Sequence, residues 1–453
     1  MLEISRIKYV IFNFVASVLD KSTMLFITML VINVYSTEAL GYFSLLLAAA
    51  GLIAAPGSSG IASFIMYYID NENKKDIVKV LAISILLSLV IGFVYFIIQL
   101  FGYHQNTKKS ISYLSLVFIL ALTQVGISNL SNFIRAIGGH SWILVFTSVK
   151  VLVAFCVLYP TFVYKEFDFF ILTYVLYMIF CVFILVFISF KLNLNKSYAS
   201  NSKSFKVIGS EVFRYSSYII IASFISSFGM LYIKEYIGSN DGMNTLGYFT
   251  IAQQMSLAVV FGASSIGISL FKDLKVSGLA IDKLYLKSSQ LLLSGIMFFC
   301  ILTQELWVGI FNLNDSGSIH VINFIFLYFC FSAYVWMIGP MLAARADGKI
   351  YVILTVIRIF PVVIYSFLFE ASLFTIIVVM VFSEFLVYYY FTRIKVLSFS
   401  FLIDHDVVLL FIIPLIMSAF KYLYVDFYFL EGMCFLGVYL LLRIFMFFIR
   451  VFE

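Results

Sequence analysis

The feature that most constrains this chain is a succession of apolar stretches, each close to the about 20 residues that an α-helix needs to cross a bilayer. They fall near 9–34, 40–66, 79–101, 111–134, 142–164 and 169–190, then 213–236, 246–270, 286–311, 318–343, 350–370 and 373–391, and finally 407–424 and 428–449. That makes about fourteen spans by the 20-residue criterion. Composition excludes a large soluble protein with many core helices. An average soluble domain is about half apolar and a quarter charged, whereas this 453-residue chain is 63% hydrophobic and 11% charged. Soluble folds need polar side chains to cover their exterior, so the solvent of most of this surface is lipid. The first stretch follows Arg6 and Lys8, but it outruns a signal-peptide core of roughly 7 to 15 residues and carries Asp20 and Lys21. It is expected to be retained as the first helix.

Lysines and arginines collect in cytoplasmic loops when topology is set. With the N-terminus inside, one side receives the basic clusters Arg6/Lys8, Lys74/Lys75/Lys79, Arg135, Lys191 to Lys206, Lys272 to Lys287, Arg345/Lys349, Arg393/Lys395 and Arg450. The other receives only Lys108, Lys109, Lys165 and Lys421. Both termini are therefore expected to be cytoplasmic. The formal charge of +6 is topogenic and implies no nucleic-acid partner. Cys156, Cys181, Cys300, Cys330 and Cys434 all lie inside apolar runs, without C-x-x-C or Cys/His spacing, so neither a disulfide framework nor a metal site is expected. No G-x-x-x-x-G-K-[ST] loop is present, and no cofactor is implied.

The polar interval 191–211 divides the chain, and the two sides repeat. Leu40-Gly41-Tyr42-Phe43 opens the second apolar segment and Leu246-Gly247-Tyr248-Phe249 the eighth. Gly57-Ser58-Ser59-Gly60-Ile61 answers Gly262-Ala263-Ser264-Ser265-Ile266; Arg135-Ala136-Ile137-Gly138 answers Arg345-Ala346-Asp347-Gly348; Val149-Lys150-Val151 answers Ile357-Arg358-Ile359. All four matches lie about 205 to 210 residues apart, in order. Six helices separate equivalent positions, so the repeats share one orientation and relate by an axis along the membrane normal. The expected layout is an all-α membrane protein: a six-helix lobe over 1–190, a cytoplasmic linker over 191–211, a second six-helix lobe over 212–392, and a loop with two further helices over 393–453.

These motifs, the basic linker and the 6+6+2 layout resemble the multidrug/oligosaccharidyl-lipid/polysaccharide exporter superfamily. Within it the chain is most similar to the O-antigen and polysaccharide flippase (Wzx) branch, over essentially its whole length. The resemblance implies a V-shaped, two-lobed carrier in a bacterial inner membrane. Such a carrier moves undecaprenyl-diphosphate-linked oligosaccharide to the periplasmic leaflet by alternating access, and is not an enzyme. Its implied partners are the lipid-linked oligosaccharide, membrane lipids, a polysaccharide polymerase and a chain-length regulator.

Ionisable residues deep in a span are costly and mark pathways unless they face protein. Here they are Asp20 and Lys21, Lys150, Lys234 and Glu235, Glu305, Arg358, Glu384 and Arg443; Glu235, Glu305 and Arg443 lie near segment ends, where they can snorkel. In the first segment Asn13, Ser17, Asp20, Met24 and Thr28 form one stripe with Lys21 beside it, and the seventh carries Ser216, Ser223, Ser227 and Lys234. Repeat alignment sets Ser17 against Ser223, Lys21 against Ser227 and Thr28 against Lys234, so each lobe offers one cation at a different depth. One reading is a hydrated cavity in which Lys21 and Lys234 meet a diphosphate; the other is a local Asp20–Lys21 contact and a snorkelling Lys234. Adjacent helical residues do not face each other well, which favours the cavity. Gln124 and Ser128 in the fourth segment and Gln253 and Gln254 in the eighth suit sugar hydroxyls, or serve as interhelical glue. Lys150 and Arg358 form either a cytoplasm-facing anion site or pairs within their lobes. Asp20 is the candidate for ion coupling.

Two other carriers remain open, a multidrug extruder and a lipid II flippase of the same superfamily. A polysaccharide polymerase or glycosyltransferase is the rival of another class. It would need a long external loop, which this chain lacks, and the D-x-D at Asp404-His405-Asp406 falls in an expected cytoplasmic loop.

Overall fold

Residues 4–69, 73–101, 111–194, 203–269, 339–345, 347–369 and 371–393, with Phe271, Lys275 and Phe311, are described by a computed structural model. Outside them lie the expected ninth, thirteenth and fourteenth segments, most of the tenth, Glu305, Glu370, Arg443, the D-x-D, Cys300, Cys330 and Cys434. Among the described residues Cys156 and Cys181 are free thiols.

Apart from turns, the described chain is helical. The helices are α1 (Ile4–Val34), α2 (Thr37–Ala55), α3 (Ile61–Tyr68), α4 (Ile77–Phe101), α5 (Ile111–Ala136), α6 (His140–Leu158), α7 (Pro160–Tyr164), α8 (Phe167–Leu194), α9 (Phe205–Asn240), α10 (Met243–Ser269), α11 (Gly348–Leu368) and α12 (Leu373–Arg393). Eight segments of the described residues are long and apolar enough to span a membrane. Local chemistry sets the boundaries. Ser36 caps α2 by accepting the Ala39 N–H at 3.0 Å, and Ser204 caps α9 by accepting that of Val207 at 3.4 Å. The single apolar run 142–164 is divided because Pro160, which lacks an N–H, starts a new short helix.

The expected linker 191–211 is shorter than its polarity implied: α8 continues to Leu194 and α9 begins at Phe205. Polar helical turns outside the bilayer look like loop in a hydropathy reading. Lys203, just before α9, hydrogen-bonds Glu211 at 2.9 Å and lies over the Tyr68 ring, while Lys79 donates to its carbonyl. The hydrogen bonds to Glu211 and Tyr68 raise the Lys203 pKa.

Between α2 and α3 the chain does not stop at Pro56; it widens into a π turn, Pro56–Gly60. A π turn frees carbonyls from the helical ladder, and buried carbonyls need partners. Four serines supply them. Ser84 donates to Gly57 O at 3.0 Å, Ser128 to Ser58 O at 2.7 Å, Ser63 to Ser59 O at 2.9 Å and Ser216, from the other repeat, to Gly60 O at 3.0 Å. The corresponding stretch in the second repeat lies within the unbroken α10.

Burial sorts the helices. The window of α2–α3 is 72% buried and that of α4 is 28% buried, so the first is central and the second faces lipid. Phe43 of α2 meets Phe170 and Tyr174 of α8 edge-on, with centroids 5.1 and 4.9 Å away. Phe183, Phe187 and Phe190 on the other face of α8 are exposed, as lipid-facing residues are. Across the repeats α10 packs on α1 and α2, and α2 packs on α9. The two L-G-Y-F motifs make this possible by reciprocal contact: a Cβ at Gly41 would collide with the Met243 carbonyl, and one at Gly247 with that of Thr37. Each motif's glycine lets its helix start lie against the backbone that begins the other.

Candidate substrate pathway between the repeats

In the first repeat the buried charges gather on α1, α5 and α6. Lys150 Nζ stands 2.5 Å from Asp20 Oδ1, and Lys21 Nζ is 3.7 Å from Oδ2 of the same carboxylate. Asp20 thus lies within ion-pair distance of its sequence neighbour, which is not expected of adjacent helical residues. Its nearer partner is nevertheless Lys150, 130 residues away. Nearer the N-terminal end of α1, Asn13 Nδ2 lies 2.8 Å from His140 Nδ1 and 3.0 Å from Ser269 Oγ, and Arg135 Nε donates to Asn13 Oδ1 at 3.3 Å. Asn13 therefore joins α1 and α6 to α10 of the other repeat.

The second repeat places its matching cation differently. Arg358 on α11 is paired with Glu384 on α12: Nη2 donates to Oε2 at 3.1 Å and Nε lies 2.5 Å from Oε1 of a carboxylate that is 1% exposed. Lys150 and Arg358 thus each pair with an acid in their own repeat. The residue of α9 equivalent to Asp20 is Ser226. With no acid there, α9 and α11 enclose a cavity of about 110 Å³ lined by Ser223, Ser226, Ser227, Tyr351, Thr355 and Arg358 together with Ala222 and Leu354, and by Ser59 of the π turn on the opposite repeat.

Lys234, on α9, crosses the repeat boundary. Its Nζ donates to Ser44 Oγ of α2 at 2.8 Å, and the residue is 6% exposed. Among the described residues no carboxylate forms a salt bridge with it. It sits about 9 Å from the end of α9, just below the Gly41/Gly247 contact.

The remaining expected site residues are spread along these walls. Ser223 and Thr28 bond back to their own helices, to Ile219 O at 2.6 Å and Met24 O at 2.9 Å. Ser128 serves the π turn, and Gln253 reaches Met230 Sδ at 3.8 Å. Ser17, Gln124 and Gln254 are half-buried. Ser44, Ser59, Ser226, Tyr351, Thr355 and His140 belong to the same walls but were not singled out from the sequence. A signal existed for three of them. Tyr351 and Thr355 lie seven and three residues before Arg358, on its helical face, and Ser226 is the repeat mate of Asp20.

No protein-family model matches the chain, and no curated protein matches it in sequence. Solved structures do resemble it. The outward-facing conformation of a multidrug resistance MATE family transporter of the MOP superfamily superposes with a TM-score of 0.56 at 15% identity, covering 84% of this chain and 93% of that one. The inward-facing conformation of a multidrug resistance MATE family transporter of the MOP superfamily gives 0.55 at 15% identity, with 85% and 95% covered. A MOP superfamily transporter from Pyrococcus furiosus, described by a reversed polarity of its binding pocket, gives 0.56 at 16% identity, with 84% and 93% covered. The class these likenesses define is a multi-pass membrane protein with the MATE-type transporter fold. At such identities the likeness fixes the architecture and leaves the cargo to the residues of the interior.

Proposed function

We propose that this chain is a carrier that moves an anionic, lipid-linked oligosaccharide across the membrane by alternating access, taking an undecaprenyl-diphosphate-linked repeat unit from the cytoplasmic to the periplasmic leaflet. The observation that carries this reading is the sign of the charge between the repeats. Lys234 lies buried at their boundary with a hydroxyl for a partner, and Asp20 is shared by two ammonium groups, so the Asp20–Lys21–Lys150 group is net positive. A buried cation of this kind suits a diphosphate and repels the lipophilic cations that acidic cavities favour. The likeness to multidrug transporters supports the alternative of a drug extruder, and no metal or ATP is invoked in either case.

Replacing Lys21 or Lys234 by alanine in a strain that depends on this chain should abolish surface polysaccharide while the protein remains folded and inserted; arginine at either position should retain more. Full polysaccharide in both alanine variants, or a raised drug susceptibility with polysaccharide intact, would favour the extruder. Asp20 stays the coupling candidate because it bridges two cations whose balance changes when an anion arrives. Transport by an Asp20→Asn carrier in proteoliposomes should lose its response to an imposed gradient, and an unchanged response would remove Asp20 from that role.

A further inference from the structure

We infer that the cavity enclosed by α9, α11 and the π turn is a binding site for a single sugar ring, separate from the place where the anionic part of the substrate is held. The inference rests on the lipid-linked glycan reading above and adds an orientation to it.

Depth comes first. Arg358 lies ten residues into α11, about 15 Å from its start, so the cavity is near mid-membrane. One wall, Ser59, comes from the first repeat and the rest from the second. Carriers built from repeats hold cargo at that level, where the repeats meet.

Charge comes second. Among the described residues that line the cavity, the guanidinium of Arg358 is the one cationic group, and Glu384 already contacts it with both oxygens. A phosphate would have to displace a carboxylate that is 1% exposed and leave it buried without its partner. A lipophilic cation meets the same obstacle in reverse. The cavity is polar but neutral.

Third, its hydroxyls are uncommitted. Ser59, Ser226, Ser227 and Tyr351 make no side-chain hydrogen bond to the described residues, and each can both donate and accept. Ser223 and Thr355 donate to Ile219 O and Tyr351 O at 2.6 and 2.8 Å, so their oxygens face the space as acceptors. Polar groups at this depth need a polar partner, and a ring of neutral donor-acceptor groups is met by another such ring. The volume of about 110 Å³ is below the about 150 Å³ that holds one benzene ring, so the cavity takes one hydroxyl-bearing edge of a single pyranose through its open side and excludes a whole oligosaccharide.

The repeat supplies a fourth argument. In the first repeat the equivalent positions carry the Asp20–Lys150 ion pair; in the second Ser226 stands where the acid would be and the arginine pairs with a carboxylate on α12. Cationic Lys21 and Lys234 then serve the diphosphate, and the neutral cavity serves the sugar next to it.

The test uses the full chain in lipid nanodiscs and two probes, a short-chain polyprenyl diphosphate bare or carrying one N-acetylhexosamine, tried as both the gluco and galacto isomers. Wild type should bind a glycosylated probe at least about tenfold more tightly than the bare one, as two or three net hydrogen bonds allow. The double variant Ser226→Ala/Ser227→Ala, and separately Thr355→Val, should lose that preference while binding the bare diphosphate as before. Lys234→Ala should weaken both probes by the same factor. If wild type binds the diphosphate with no preference for either sugar, or the hydroxyl variants keep the full preference, the sugar site is overturned and the lipid-linked reading stands. If wild type binds neither probe, that reading falls, and the sugar site with it.

Discussion

Asp20 and Glu384 are the acids that make the deep cations tolerable, and their surroundings differ in a way that predicts unequal costs. Glu384 is 1% exposed and contacts Arg358 with both oxygens, whereas the Asp20 side chain is 31% exposed and keeps Lys21 within 3.7 Å if Lys150 is lost. Removing one member of a buried pair costs about 3 to 5 kcal/mol because the other charge is left unpaired. Glu384→Gln should therefore lower thermal unfolding in detergent markedly, Lys150→Met should lower it less, and the double change Arg358→Met/Glu384→Met should recover most of the loss. Equal effects of the two single changes would show that the exposure difference does not govern the cost. Which residues were charged and deep was legible from the sequence. Their pairing was not, since Lys150 and Arg358 are repeat mates whose acids sit on α1 in one repeat and on α12 in the other.

At the scale of elements, the π turn and the two L-G-Y-F starts do specific work. Ser84 both caps Gly57 O and accepts from Asn129 Nδ2 at 2.7 Å. Ser84→Ala strands both groups and should cost about 1 to 3 kcal/mol, again read by thermal unfolding; an unchanged midpoint would mean that the carbonyl of the π turn finds another partner. A proline such as Pro56 marks an interruption in a helical run, but alone it does not tell a kink from the wider π turn found here. The glycines predict a gate. In a cysteine-free background carrying Ser44→Cys, adding Gly41→Val should force α2 and α10 apart and raise labelling by a membrane-impermeant thiol reagent from the expected outer side. Labelling that stays at the parent level would show that the contact seals nothing.

Taken whole, the described repeats touch near both ends of the membrane. Gly41 lies against Met243 and Gly247 against Thr37 at one end, and toward the other Asn13 reaches Ser269. Alternating access requires each contact to open in turn. Oxidising an Asn13→Cys/Ser269→Cys double variant should therefore stop transport, and a reductant should restore it; transport that continues in the cross-linked protein would mean that the contact on the expected cytoplasmic side need not part. The membrane class, the helical architecture and most span positions of the described residues could be derived from the sequence because hydropathy is a sum over neighbouring residues. Lys150 reaching Asp20, Lys234 reaching Ser44, and Ser59 completing a cavity with α9 and α11 depend on how each helix is rotated about its axis and where it crosses its neighbours. Those settings are fixed by contacts between side chains more than a hundred residues apart, so only the tertiary structure decides which polar groups face each other and which are left to meet a substrate.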